Sequence, residues 1–226
     1  MSASPSPSDG RSDTFAGIPV AALDFYDDLE VDNTRSFWER HKQVYAESVR
    51  APMVALTDAL APEFAPDGRT VKVFRPYRDV RFSKDKTPFK THQGAYVAAG
   101  SSTGWYVQVS AQGVRTGAGF YDASPQRLAA YREAVADERR AAELEQALAA
   151  LTAAGFEVGG DRLKTSPRGW TADHPRIELL RHKTLSAGRS HGFEPYIHTP
   201  DLLDAVREDW RALRPLVEWV QGLRGE

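Results

Sequence analysis

The chain has 226 residues, 41% hydrophobic and 27% charged, with 29 Lys and Arg against 31 Asp and Glu. This length suits one large domain or two small ones, and the near-balance of charge provides no bulk attraction to nucleic acid or to a membrane. The absence of cysteine excludes disulfides, thiolate nucleophiles and cysteine-bound zinc, no apolar run approaches the ~20 residues of a membrane span, and together these point to a cytoplasmic protein.

Residues 1–14, MSASPSPSDGRSDT, are rich in Ser and Pro and lack an apolar core. They read as a disordered tail, not a signal peptide, and 15–226 reads as a single domain. Asp32 or Asn33 is placed to cap a helix through TRSFWERHKQVYAESVR, with Phe37, His41, Val44, Tyr45 and Val49 at helical spacing. Pro52 kinks or restarts that helix, and Met53, Leu56, Leu60 and Phe64 continue its apolar stripe.

The period then changes. VKVF, YRDVRF, HQGAYVAA, WYVQVSA and VRTGAGFY are short, rich in β-branched and aromatic residues, and separated by turn formers. They predict about five strands, roughly 71–121, in one largely antiparallel sheet, with AGSSTG as the turn between two neighbours. Ser124 and Pro125 open a helix, an alanine-rich helix follows with Gly155 as its C-cap, and Phe156 to Leu163 suggest a small hairpin around Gly159 and Gly160. Thr199 and Pro200 open a last helix with an apolar stripe of Leu203, Val206, Trp210, Leu213, Val217 and Val220. Helices, then strands, then helices define an α+β fold, with the N-terminal and C-terminal helices packed on the sheet.

The chemistry concentrates in RPYRDVRFSKDKTPFK, Arg75 to Lys90, where six cations stand against two carboxylates. A positive site on an otherwise acidic chain attracts anions locally. Read as strand, turn and strand, the stretch splits its arginines between two faces and gathers Lys84 and Lys86 at the turn. On the returning strand Lys90, His92, Gly94 and Tyr96 share a face, and Gly94 leaves room for a ligand or another backbone. Arg78, Arg81, Lys84 and Lys90 are therefore the candidate ligand-binding residues, with Arg35 and Trp38 contributing from the start of the first helix. Guanidinium groups offer bidentate contacts to phosphate or carboxylate. His92, following the stretch, is the one candidate acid or base, and it too has a structural alternative.

Elsewhere the signals are structural. There is no Walker loop, G-x-S-x-G elbow or H-E-x-x-H pair, and Gly117 and Gly119 mark a strand-to-helix corner. Asp79 and Asp85 are hemmed in by cations, which argues against a metal, and no cofactor is implied. Glu178 stands one turn from Arg181 and His182 and is placed to pair with either. Lys164, Arg168 and Trp170 form a second, smaller basic and aromatic cluster in a loop.

The strings FRPYRDVRFSKDKTPFKTH, DNTRSFWERHKQVY, GAGFYDASPQRLAAYREAV and HPRIELLRHK together resemble a widespread family of bacterial and fungal proteins catalogued as a domain of unknown function. The resemblance runs from about Gly17 to Leu223. Its R-D-x-R-F-S-x-D-K-x-P-[YF]-K string occupies Arg78 to Lys90, with Phe89 where tyrosine is usual, which removes a hydroxyl and with it any tyrosine-based proton transfer at that position. The resemblance implies a single α+β domain and no particular reaction, cofactor or catalytic residue. The residues themselves point to a pocket for a small anionic ligand, phosphate or carboxylate. The alternative is a structural or partner-binding module whose arginines form internal salt bridges. The acidity outside the stretch argues against nucleic acid, and nothing implies a membrane partner.

Overall fold

Residues 15–65, 67, 70–121 and 124–223 are described in the computed structural model; the expected tail, 1–14, lies outside them. The chain begins with α1 (Val20–Val31), which the sequence reading did not anticipate, and α2 (Arg35–Val44). Thr34 caps α2, its hydroxyl accepting from the Phe37 amide at 3.2 Å. The expected caps, Asp32 and Asn33, are used otherwise: Asp32 accepts from the Thr34 hydroxyl, and Asn33 faces Phe89.

A π turn (Tyr45–Arg50) joins α2 to α3 (Ala51–Phe64), with Pro52 in the first turn of α3. The buried residues Phe37, Tyr45, Val49 and Met53 are separated by multiples of four. A four-residue step overruns the 3.6-residue turn by about 40°, and the wider π turn takes that drift back. The apolar stripe thus stays on one side from α2 into α3.

Six strands form one antiparallel sheet: β1 (Val71–Val73), β2 (His92–Gly100), β3 (Thr103–Ser110), β4 (Gly113–Phe120), β5 (Glu157–Gly159) and β6 (Leu185–Gly192), in the order β1-β2-β3-β4-β6-β5. The α+β class and the antiparallel sheet are as expected, and the turn between β2 and β3 falls where AGSSTG placed it. Two of the strands come from beyond residue 121. β5 pairs with β6, not with the chain just after it, because Gly160, at φ +125°, turns the backbone away. The hairpin expected at Phe156 to Leu163 does not form.

The stretch YRDVRF is not a strand. Between β1 and β2 the chain runs as a loop closed by one isolated bridge, Tyr77 to Phe89, with the Arg78 amide donating to Pro88 and the Lys90 amide to Pro76. Pro76 and Pro88 have no amide to extend the ladder. Asp79 and Asp85 also capture the amides of Arg81 and Thr87, the local alternative that short carboxylates offer a backbone.

Further helices are α4 (Pro125–Ala136), α5 (Glu138–Ala153), the short α6 (Ile177–Leu180) and α7 (Asp201–Gln221). Gly155, at φ +84°, terminates α5 as expected. Helices α1, α3 and α7 pack on the sheet face that carries Ala95, Val97, Trp105, Val107 and Val109. Trp105 stacks on Trp210 of α7 at 5.8 Å, with Phe64 edge-on to both. Within this core lies a polar knot. His191 Nε2 donates to Asp209 Oδ2 at 2.9 Å, Thr116 donates to the same oxygen, Arg189 sits 3.3 Å from the other, and the Tyr196 hydroxyl lies 2.6 Å from His191 Nδ1.

Asp209, 4% exposed, thus satisfies three donors at once. Asp209→Ala strands the buried His191 and removes one partner of Arg189, so it is expected to cost about 3 kcal/mol or more, read as a lowered midpoint in urea denaturation.

Candidate functional site

The opposite face of the sheet carries small and aromatic residues. On β2 the core-facing Gln93, Ala95 and Val97 alternate with His92, Gly94 and Tyr96, and Tyr96 stands directly opposite Tyr106 of β3. A Cβ on Gly94 would lie 2.5 Å from the Tyr106 hydroxyl, and one on Gly104 would lie 2.6 Å from the Tyr96 ring. Each tyrosine therefore leans diagonally over a glycine of the other strand. The room left at Gly94 is filled by Tyr106, not by a ligand or a backbone. Further along, Arg115 crosses β6 beside Gly188 to Glu157 on β5, 3.1 Å away.

A cleft of about 610 Å³ opens on this face, lined by Thr70, Lys72, Phe74, Tyr96, Ala98, Gly100, Ser102 and Tyr121. Its volume is in the range of small-molecule sites. Lys72 pairs in register with Tyr96, and Tyr121 stands at 77° to Tyr96, with centroids 6.1 Å apart. Phe74 is held from behind. The Phe74 amide donates to Gly94 at 3.0 Å, and Gln93, itself buried and accepting from the Tyr45 hydroxyl at 2.6 Å, donates to the Phe74 carbonyl at 2.8 Å.

The charged stretch contributes no lining residue and approaches the cleft only at its C-terminal end, where Lys90 nears the Phe74 ring. Phe89 is buried, stacked on Trp38 at 4.4 Å and 9°, and both its backbone groups bond to the Asn33 carboxamide, at 3.0 and 3.1 Å. Lys90 follows; its ammonium lies 5.5 Å from the centre of Phe74 and donates to the Arg75 carbonyl at 3.1 Å. Lys72 reaches the same ring at 5.6 Å. Neither lysine has a carboxylate partner among the described residues. Burial, and then the charges of Arg75 and Lys72, hold the Lys90 ammonium below the ordinary lysine range. Burial and Lys90 likewise depress His92, which keeps its ring neutral at pH 7.

The other expected site residues lie apart from the cleft. Arg78 pairs with Asp85 and Thr87, and Arg81 grips Asp79 with two nitrogens, at 2.9 and 2.6 Å. Lys84 and Arg35 are exposed, Lys86 donates to the Val80 carbonyl at 2.9 Å, and Phe82 projects from the loop, 97% exposed. Trp38 is a core ring under Phe89. Trp170 packs against the core edge-on to His174, and Glu178 pairs with Arg181 at 2.7 Å, while His182 donates to the Thr184 carbonyl.

Chemically the cleft offers the Lys72 ammonium, the Phe74 ring with Lys90 near it, and the phenols of Tyr96 and Tyr121. Burial pushes the hydroxyls of Tyr96 and Tyr106 up to about 12, so at neutral pH they are hydrogen-bonding phenols and not phenolates. Among the described residues no group of three His, Asp or Glu stands close enough to hold a metal, and no helix is long and apolar enough to cross a membrane. Lys72, Phe74 and Tyr121 are absent from the sequence-based candidates. The signal that marks the floor is a repeated Gly-x-Tyr, at Gly94 to Tyr96 and Gly104 to Tyr106.

An antiparallel sheet with helices on one face and an aromatic cleft on the other makes this an α+β protein with a candidate binding site. Over residues 21–219 the chain matches the family described as conserved hypothetical protein (DUF2461), and it belongs to that family. Among curated proteins none matches it.

The Asn33 clasp and the arginine pairs make different demands. Asn33→Ala removes both partners of the Phe89 backbone and is expected to cost about 2 kcal/mol, with faster proteolytic cleavage between 75 and 90. Arg81→Ala, at an exposed pair, is expected to leave the urea midpoint unchanged.

Proposed function

We propose that the protein binds a small anionic ligand, phosphate or carboxylate, at the cleft end of the charged stretch, with Lys90 and Lys72 as its charged contacts. The observation that carries this reading is the pair of ammonium groups converging on Phe74 without a carboxylate, beside a cavity of ligand size. Lys90 is partly buried beside Arg75 and the exposed Lys72, and a bound anion relieves both the repulsion and the desolvation at Lys90. His92 lies next to Lys90 on the same face as a neutral hydrogen-bonding group, and no catalytic step is assigned to it.

The second reading, that the arginines serve the fold, is favoured by the Arg78–Asp85 and Arg81–Asp79 pairs. The two readings divide the stretch between them: arginines shape the loop, and lysines meet the ligand. The proposal takes 15–226 as one domain, supported by an apolar core that runs from Phe15 to Leu223. It places the protein in the cytoplasm on the strength of its cysteine-free sequence.

In phosphate-free buffer, added phosphate at a hundredfold excess over its Kd is expected to stabilise the protein by about 2.7 kcal/mol, or about 5–10 °C in Tm. Lys90→Met should keep the fold and lose that shift, while Arg81→Ala should keep it. No shift with phosphate, sulfate or acetate, or a shift lost with Arg81 and kept without Lys90, overturns the assignment.

The depressed Lys90 also predicts a pH dependence. Below its folded pKa the ammonium is charged in both folded and unfolded states, and the penalty is fully present. As pH rises towards the ordinary lysine value the penalty disappears and stability rises. Over the same window phosphate affinity should fall, because the bound cation is lost. Thermal melts with and without phosphate from pH 7 to 10 should therefore converge, and should do so less in Lys90→Met.

A further inference from the structure

We infer that the ligand of this cleft carries a flat ring as well as an anionic group, with the ring seated in the corner that Tyr96 and Tyr121 form. The inference rests on the anion reading above and adds the chemistry of the other half of the ligand.

The floor of the cleft is a ring because Gly104 allows it to be. With any Cβ at Gly104 the Tyr96 ring could not lie where it does, so the glycine lets the ring lie over the β3 backbone, where it lines the cleft. Tyr121 then rises from the end of β4 at 77° to that floor. Floor and wall make a corner in which a planar group stacks on one ring and meets the other edge to face, the two geometries that aromatic pairs prefer. The backbone beside the corner is bare, since Ala98 and Gly100 are the next cleft residues along β2 and Ser102 lines the turn.

The polar atoms point the same way. Neither the Tyr96 nor the Tyr121 hydroxyl has a hydrogen-bond partner among the described residues, whereas Tyr106, outside the cleft lining, donates to Gln108 at 2.9 Å. Two half-sheltered phenols are thus left for a ring nitrogen or oxygen. Lys72 stands directly across from Tyr96 in the β1–β2 register and turns its ammonium towards Phe74 and Lys90. A ring in the corner therefore has cations to one side of it, at the β1 edge. A bare phosphate would fill only the cationic end of a 610 Å³ space.

A ring bearing an anion is supplied by a nucleoside monophosphate or by an aromatic carboxylate, and calorimetry separates the two. Titrations in phosphate-free buffer would use inorganic phosphate, ribose 5-phosphate and AMP as one series, and acetate and indole-3-acetate as the other. In at least one series the ring-bearing member is expected to bind about tenfold or more tightly than its ring-free counterpart, and the series that shows it identifies the source. Tyr121→Ala should remove that advantage and leave phosphate binding unchanged. Should Tyr121→Ala fail to fold, Tyr121→Leu, which keeps bulk without a π face, carries the same test. If ring-bearing and ring-free anions bind alike, or if the advantage survives loss of the Tyr121 ring, this inference is overturned and the anion site stands. If no anion binds at all, both fall.

Discussion

The carboxamide of Asn33 does for Phe89 what a neighbouring strand would do, giving one donor and one acceptor to its backbone. That clasp, with the Phe89 ring laid on Trp38, is where a loop of opposing charges is fastened to the helical layer. Upstream of it the loop organises itself by local ion pairs. Downstream the chain leaves as Lys90 and enters β2 with its side chains in fixed alternation, Gln93 inward and His92 and Tyr96 outward. The direction in which the site faces is decided at residues 33 and 89, neither of which lines the cleft.

Covering a sheet on one side leaves the other to be settled without a second layer. This chain does so with rings lying over glycines. Tyr96 and Tyr106 cover backbone that larger neighbours would have hidden, and Gly94 and Gly104 give them the space. The arrangement shelters the ladder and keeps the face shallow. The inner face follows the opposite rule, with large interlocking groups such as Trp105 and Trp210 and one polar knot at Asp209 in which each donor finds an acceptor.

Much of the architecture was legible in the sequence because it rests on periodicity. The stripe of α7 and the β2 to β4 strands each repeat a local pattern that needs no partner to be read. YRDVRF misled because its β-forming side chains alternate as a strand does, while its aspartates offer the backbone nearer partners than any second strand. β6, LSAGRSHG, was illegible for another reason. His191 is an inward-facing residue there, paired with Asp209 from α7, and the half-buried Arg189 meets the same carboxylate. The cleft was half visible. Tyr96 follows from alternation along one strand, but Lys72, Phe74 and Tyr121 join it from other segments, a grouping that no single segment contains.

The π turn at Tyr45–Arg50 has an effect well beyond its own helix. It is a phase corrector: it holds one more residue per hydrogen-bonded ring than the α-helix on either side. Were the same residues wound as plain α-helix, one flanking helix would be rotated against the other by about 100°. Tyr45 would then swing away from Gln93, Gln93 would lose the partner that steadies its grip on Phe74, and the wall shared by both lysines would drift. The winding of six residues of a helix thereby bears on the shape of a candidate cleft on the far side of the sheet.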